Sequence, residues 1–181
     1  MGVADGFQTR DRGKLGHELK VLTQGSATPH DLTHVGVGVS QVLPILVMCL
    51  LAASDTTLII EQPELHLHPR VQTLLADFLL SMSLLGKQCV VETHSEHIIN
   101  RLRLRATAGD SSSIASQIKV YFVEKRDGTS LFRDVTITPY GSIVEWPEGF
   151  FDQSQAEAEA ILRAATQKKR TERASVTDGH D

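Results

Sequence analysis

The stretch EQPELHLHP at residues 61–69 sets two carboxylates, Glu61 and Glu64, about Gln62 and follows them with His66, His68 and Pro69. Carboxylates hold hard cations and take protons, whereas imidazoles donate to anionic oxygen or ligate transition metals. Glu61 closes the apolar run TLIIE, so it stands where a strand delivers an acid to a ligand. A second cluster, ETHSEH at 92–97, also follows an apolar run and carries His94 and His97. In that setting Glu61 suits Mg²⁺ on a nucleotide, and His94 suits a terminal phosphate. GVGVSQ, 36–41, joins Gly36 and Gly38 to a helix start, whose unpaired N–H groups and positive dipole end suit an anion. A different chemistry fits the same residues: Glu61 and Glu64 with His94 and His97, the histidines at i, i+3, have the donor types of a metal-dependent hydrolase. The plainer readings are structural hydrogen bonding for His66 and His68, which have no cysteine near them, and solvated or capping roles for Glu64, Glu92 and Glu96.

The elements that position these groups follow from hydropathy period. TLIIE, 57–61, and QCVVETH, 88–94, are short apolar runs rich in β-branched residues, expected as parallel strands buried on both faces. Between them Val71, Leu74, Leu75, Phe78, Met82 and Leu85 keep helical spacing, with Pro69 at the start and Gly86 at the stop. Strand, helix and strand in this order form a βαβ unit, and ligands of open α/β sheets sit beyond the carboxyl ends of the strands. Glu61 and His94 are therefore expected to meet at one crevice. A core helix is expected to open at Ser40 or Gln41, with Pro44 in its first turn, and SEHIINRLRLR begins another. Residues 118–137 alternate around Asp127-Gly128 as a β-hairpin, and Pro139 to Gly141 marks a further turn. Ser154 heads a capping box for a helix over 156–169, and residues 1–31 read as an irregular lead-in.

A chain of 181 residues with 41% hydrophobic content can close a core of its own, so disorder is not the default. The net charge of -4 gives no whole-chain basic field for nucleic acid, though Arg101, Arg103 and Arg105 leave a local contact open beside the plainer reading of a solvated helix face. Cys49 and Cys89 lie in apolar runs as buried small hydrophobes, which favours a reducing cytoplasm. The run at 42–53 falls short of the roughly 18 apolar residues of a membrane span, so no membrane partner is expected.

EQPELHLHP (61–69), ETHSEH (92–97) and WPEGFFD (146–152), in that order, make residues 32–152 resemble the C-terminal half of an ABC-type ATPase head of the SMC, RecF and OLD kind, and more closely a bacterial group of predicted AAA-family ATPases. The resemblance implies a partial P-loop NTPase of α/β class, with a parallel sheet, flanking helices, a C-terminal hairpin and, over 153–181, a terminal helix with a frayed tail. It implies ATP and Mg²⁺ as cofactors and a homo- or hetero-dimeric clamp. Gly36, Gly38, Ser40 and Gln41 take the place of a signature loop reaching a γ-phosphate across the dimer, Glu61 becomes the Walker B acid on the metal, and His94 the switch histidine. His68 and Pro69 fall near the dimer seam. Trp146 is expected as a buried anchor, worth about 1.5–3 kcal/mol.

Two departures shape the expected activity. Where such heads carry Asp-Glu this chain carries Glu61-Gln62, and an amide cannot take a proton. A positioned base contributes ~10²–10⁴-fold, so turnover is expected to be slow unless Glu64 substitutes for Gln62. No G-x-x-x-x-G-K-[ST] occurs in the sequence, and Gly13-Lys14-Leu15 lacks both its spacing and its hydroxyl. The phosphate cradle is thus expected from an N-terminal segment or a separate P-loop subunit, and the isolated chain is expected to bind ATP poorly. A noncatalytic assembly subunit is the remaining alternative.

Overall fold

A computed structural model describes residues 4–23, 25–108, 111–147, 149–151 and 153–177. The chain divides into two compact units, one of Met1–Ile118 with Ile137–Ser142 and the other of Lys119–Thr136 with Ile143–Asp181.

The first unit opens on an antiparallel hairpin, β1 (Gly6–Asp11) and β2 (His17–Leu22), extended by the short β3 (His30–Asp31). This corrects the irregular lead-in expected over 1–31. Its strands escape a hydropathy reading because β1 is exposed along nearly its whole length and in β2 only Val21 is fully buried, so backbone pairing carries the register. The turn between them uses Gly13 and Gly16, both at positive φ.

Helix α1 (Val37–Leu51) begins before the expected Ser40 or Gln41, with Gly36 at its N-cap. Pro44 consequently lies inside the helix and not in its first turn, and removes the N–H that would meet the Ser40 carbonyl. The helix is apolar on nearly all sides. It buries Val42 and Cys49 and leaves Val37, Val47, Met48, Leu50 and Leu51 exposed.

Strand β4 (Thr57–Glu61), helix α2 (Pro69–Leu84) and strand β5 (Gln88–Glu92) form the βαβ unit, paired in parallel from Thr57↔Gln88 to Glu61↔Glu92. His68 caps α2, Pro69 sits in its first turn, and Gly86, at φ 81°, follows its end. Strand β5 stops at Glu92, short of His94, and Ser95 then caps α3 (Glu96–Ala106) by accepting the Ile98 N–H at 3.1 Å. The core joins Val42 and Cys49 of α1, Leu58 and Ile60 of β4, Leu67, and Leu75, Leu79 and Met82 of α2. The strands are covered on this face alone, a correction to the expected burial on both: Ile59 and Val90 on the other face are 73% and 48% exposed. Among the described residues no layer packs over them, because the two-stranded sheet has its helices on one side.

A buried polar link and a half-buried one help hold this unit together. The Lys87 ammonium donates to the Cys49 carbonyl at 2.6 Å, placing a cation at the C-terminal end of α1, where the helix dipole favours it. On α2, Asp77 receives two donors each from Arg101 and Arg105 of α3, at 2.6–2.9 Å. Arg103 donates to the Gly141 carbonyl at 2.8 Å, in the turn where Gly141 itself bonds Thr138. A side chain at Gly141 would stand 2.9 Å from the Arg103 carbonyl. The arginines expected on a solvated or nucleic-acid face are thus engaged in packing α3. A short α4 (Ser111–Ser116) follows.

In the second unit β6 (Val120–Arg126) and β7 (Thr129–Val135) form the expected hairpin, with Asp127 at φ 50° and Gly128 at φ 79° in its turn. Phe150, 6% exposed, is the buried anchor of WPEGFF, edge-on to Phe122 at 5.6 Å; Trp146, expected in that role, is 40% exposed and donates to the Phe150 carbonyl. Helix α5 (Gln153–Thr177) starts before the box proposed at Ser154 and runs well past 169.

Burial opposes the charged form of Asp77, but the Arg105 and Arg101 hydrogen bonds outweigh it and hold the carboxyl well below its usual range. A depressed carboxyl contributes stability above its unfolded value and loses it on acidification. Asp77→Asn is expected to lower unfolding free energy at pH 7 by about 1–3 kcal/mol, allowing for partial exposure of the arginines. Urea titrations should show that deficit shrinking below about pH 4, the unfolded-state range of Asp.

Candidate functional site

Parallel pairing brings the ends of β4 and β5 out together. Glu61 and Glu92 are register partners and, by strand alternation, lie on the exposed face with Ile59 and Val90. The chain then turns sharply: Gln62 adopts φ 42° and His66 φ 59°, conformations that non-glycine residues seldom take. Gln62 donates its backbone N–H to the Glu92 carbonyl at 2.9 Å and directs its side-chain amide to Glu92 Oε1 at 3.4 Å. His94 Nε2 lies 3.8 Å from the same Glu92 oxygen, and its ring is largely exposed. Glu61, Gln62 and His94 are therefore brought to one open rim with Glu92 at its centre. From sequence alone the plainer role for Glu92 is a solvated or capping acid. Its signal was its place: it ends the second strand as Glu61 ends the first.

Glu64 lies elsewhere. It is 7% exposed, and Oε1 accepts the His94 backbone N–H at 2.7 Å. Oε2 is buried with no hydrogen-bond partner among the described residues. A general base must meet the water it deprotonates, and this carboxyl is buried against the His94 backbone, so the geometry does not support Glu64 as the substitute for Gln62.

Gly36, Gly38, Ser40 and Gln41 form the start of α1 and not a loop before it. Ser40 donates its hydroxyl to the Val37 carbonyl at 2.8 Å, and Gln41 is exposed. Gly38 packs against the segment joining β4 to α2: an added Cβ would lie 3.0 Å from both the His66 carbonyl oxygen and a Leu67 methyl. That closeness, not a turn, is what favours glycine there, since a methyl group would press its neighbours back by a few tenths of an ångström.

His68 is occupied as a cap, its Nδ1 accepting the Arg70 N–H at 3.2 Å. His66 is exposed, and His97 is exposed in the first turn of α3. Among the described residues no group of three or more His, Cys, Asp or Glu could hold a metal ion, so the hydrolase constellation of Glu61, Glu64, His94 and His97 is not assembled. A different requirement applies to Mg²⁺, which keeps several waters and takes one or two carboxylates beside phosphate oxygens. Glu61 and Glu92, abreast and exposed, fit that demand, and a cation would relieve the repulsion of like charges in register. The thiols of Cys49 and Cys89 are pushed up by burial and stand apart from this chemistry.

No helix among the described residues is long and apolar enough to cross a membrane. No curated protein matches the chain. A solved structure described as "Structural biochemistry of ATP-driven dimerization and DNA stimulated activation of SMC ATPases" is similar at a TM-score of 0.54, with 16% identity over 74% of this chain and 76% of that one. That likeness concerns the fold, an α/β arrangement of the P-loop NTPase type. Residues 115–161 match a family described as a protein of unknown function (DUF3696). The AAA ATPase domain family matches residues 6–99, over half of the chain and including every residue of the rim. A rim of acid, amide and imidazole at the ends of two parallel strands is thus carried by a chain that belongs to the AAA ATPase domain family.

Proposed function

We propose that this chain is the C-terminal half of an ABC-type ATPase head: a slow, ATP-switched dimer clamp whose phosphate-binding loop comes from an N-terminal segment or a separate subunit. The observation that carries the reading is the rim, where Glu61, Gln62, Glu92 and His94 meet at the carboxyl ends of β4 and β5. Glu61, with Glu92, would hold the metal of a Mg-nucleotide. His94 would donate to a terminal phosphate oxygen. Gln62 would orient water without taking its proton, leaving a long-lived bound state. Bound Mg-ATP would supply the phosphoryl group and the cation that spreads its charge.

The exposed apolar surface supports a second piece. A helix apolar on all sides belongs inside a larger body, yet α1 exposes five large apolar residues, and β4 and β5 leave Ile59 and Val90 bare. Gly36, Gly38, Ser40 and Gln41 would face the nucleotide of the opposite subunit. Activation by DNA, stated for the similar SMC ATPases, is an arm of the test here.

Each charge-assisted phosphate contact is worth about 1.5–3 kcal/mol, so the chain alone should bind Mg-ATP at least about 100-fold more weakly than the assembly completed by a P-loop-bearing segment or subunit. Calorimetric titration of both checks this, with and without duplex DNA; equal affinity would refute the half-site reading.

In the completed assembly Gln62→Glu should raise single-turnover hydrolysis by roughly 10²–10⁴-fold, the range for a positioned base. Glu61→Gln and His94→Ala should abolish ATP-dependent dimerisation, read by light scattering. Full assembly by both variants would instead identify a noncatalytic subunit.

A further inference from the structure

Glu64 is the buried carboxylate that the rim chemistry does not use. A carboxylate removed from water is costly unless donors satisfy it, and this one has its single short bond to a backbone N–H, that of His94 at 2.7 Å, a length typical of a charge-assisted bond. Such a bond cannot move protons between substrate and solvent, but it fixes where His94 leaves the sheet.

The loop around Glu64 is closed on itself. Leu65 donates to the Gln62 carbonyl at 3.2 Å and Leu67 to the Glu64 carbonyl at 3.0 Å, while Gln72 of α2 donates to the Leu67 carbonyl at 2.8 Å. Gln72 in turn accepts from the Ser95 hydroxyl at 2.5 Å, next to His94. On its other side the loop presents the His66 carbonyl and the Leu67 side chain to Gly38, where an added carbon would stand 3.0 Å from each and press them back by a few tenths of an ångström. One end of this stiff segment therefore touches the first turn of α1, and the other holds the His94 backbone.

We propose that Glu64 is a positioning residue which couples the first turn of α1 to His94, so that displacement of Gly38 against His66 and Leu67 is transmitted through the carboxylate to the imidazole at the rim. The purpose of this coupling rests on the ATPase reading. There, α1 answers to a nucleotide across the dimer seam while His94 answers to the one on its own rim, and the segment from Gly38 to His94 lets each subunit's two nucleotide contacts inform one another. The coupling itself is a property of the folded chain without nucleotide.

The test uses the full ¹⁵N-labelled chain and reads the His94 amide by chemical shift and hydrogen exchange. Glu64→Ala should move that resonance upfield and speed its exchange at least about tenfold, the effect of losing one charge-assisted bond, and Glu64→Gln, which keeps an oxygen, should fall between. Gly38→Ala should shift the His94 amide in the otherwise unaltered chain, but not when combined with Glu64→Ala, although the Leu67 amide still responds in both. That conditional response separates coupling from mere stabilisation. If Glu64→Ala does not fold, Glu64→Gln combined with Gly38→Ala carries the same comparison, with a reduced His94 response expected. An unchanged His94 amide in the folded Glu64 variants, or a Gly38→Ala response at His94 that does not depend on residue 64, would overturn the proposal. No readout involves ATP, so this inference and the ATPase reading can fail separately.

Discussion

Parallel hydrogen bonding between β4 and β5, in register from Thr57↔Gln88 to Glu61↔Glu92, is the constraint on which the candidate site depends. It makes two separate strand ends coincide, so that two acids stand abreast and the residues that follow them, Gln62 and His94, turn over the same edge. A one-residue slip would send Ile59 and Glu61 to the core face and Leu58 and Ile60 to solvent. The register is therefore fixed by burial of Leu58 and Ile60 against α1 and α2, and the chemistry is aligned by packing on the opposite face of the strand.

The loop after β4 shows how a polar residue type can be diverted from chemistry to construction. Glu61 and Glu64 are only three positions apart, yet one is exposed at the rim and the other buried beneath it. The difference arises from left-handed backbone at Gln62 and His66, which folds the loop over Glu64 and hands its carboxylate the His94 N–H. Lys87, buried before β5, and Asp77, half-buried on α2, follow the same logic: each is a charged group held by specific partners, and each ties two elements together. The Asp77 link joins α2 to α3, and the Lys87 link joins the end of α1 to the turn before β5.

The apolar surface has a complementary meaning. The sheet is covered on the Leu58 and Ile60 side and bare on the Ile59 and Val90 side, while α1 offers apolar residues to solvent along much of its length. A two-stranded parallel sheet is an element that normally sits inside a wider one with both faces covered. The bare face of β4 and β5 and the apolar side of α1 are the surfaces on which such covering would fall.

What the sequence determined by itself was local: the periods of β4, α2 and β5, Pro69 at the start of α2 and Gly86 at its stop, the Asp127-Gly128 turn, and the acid that ends β4 with the imidazole that follows β5. These are legible because residue type and spacing act over a few positions through backbone geometry and hydrophobic period. Tertiary structure decided the rest. It made β1 and β2 a hairpin whose exposed side chains carry no hydropathy signal, set Gly38 and Ser40 inside α1, gave the anchor role to Phe150, and bound Arg101 and Arg105 to Asp77. It also separated Glu64 from Glu61 and put Glu92 among the rim residues. In each of these the deciding partner is brought near by packing or backbone pairing, and identity along the chain does not specify which group will arrive.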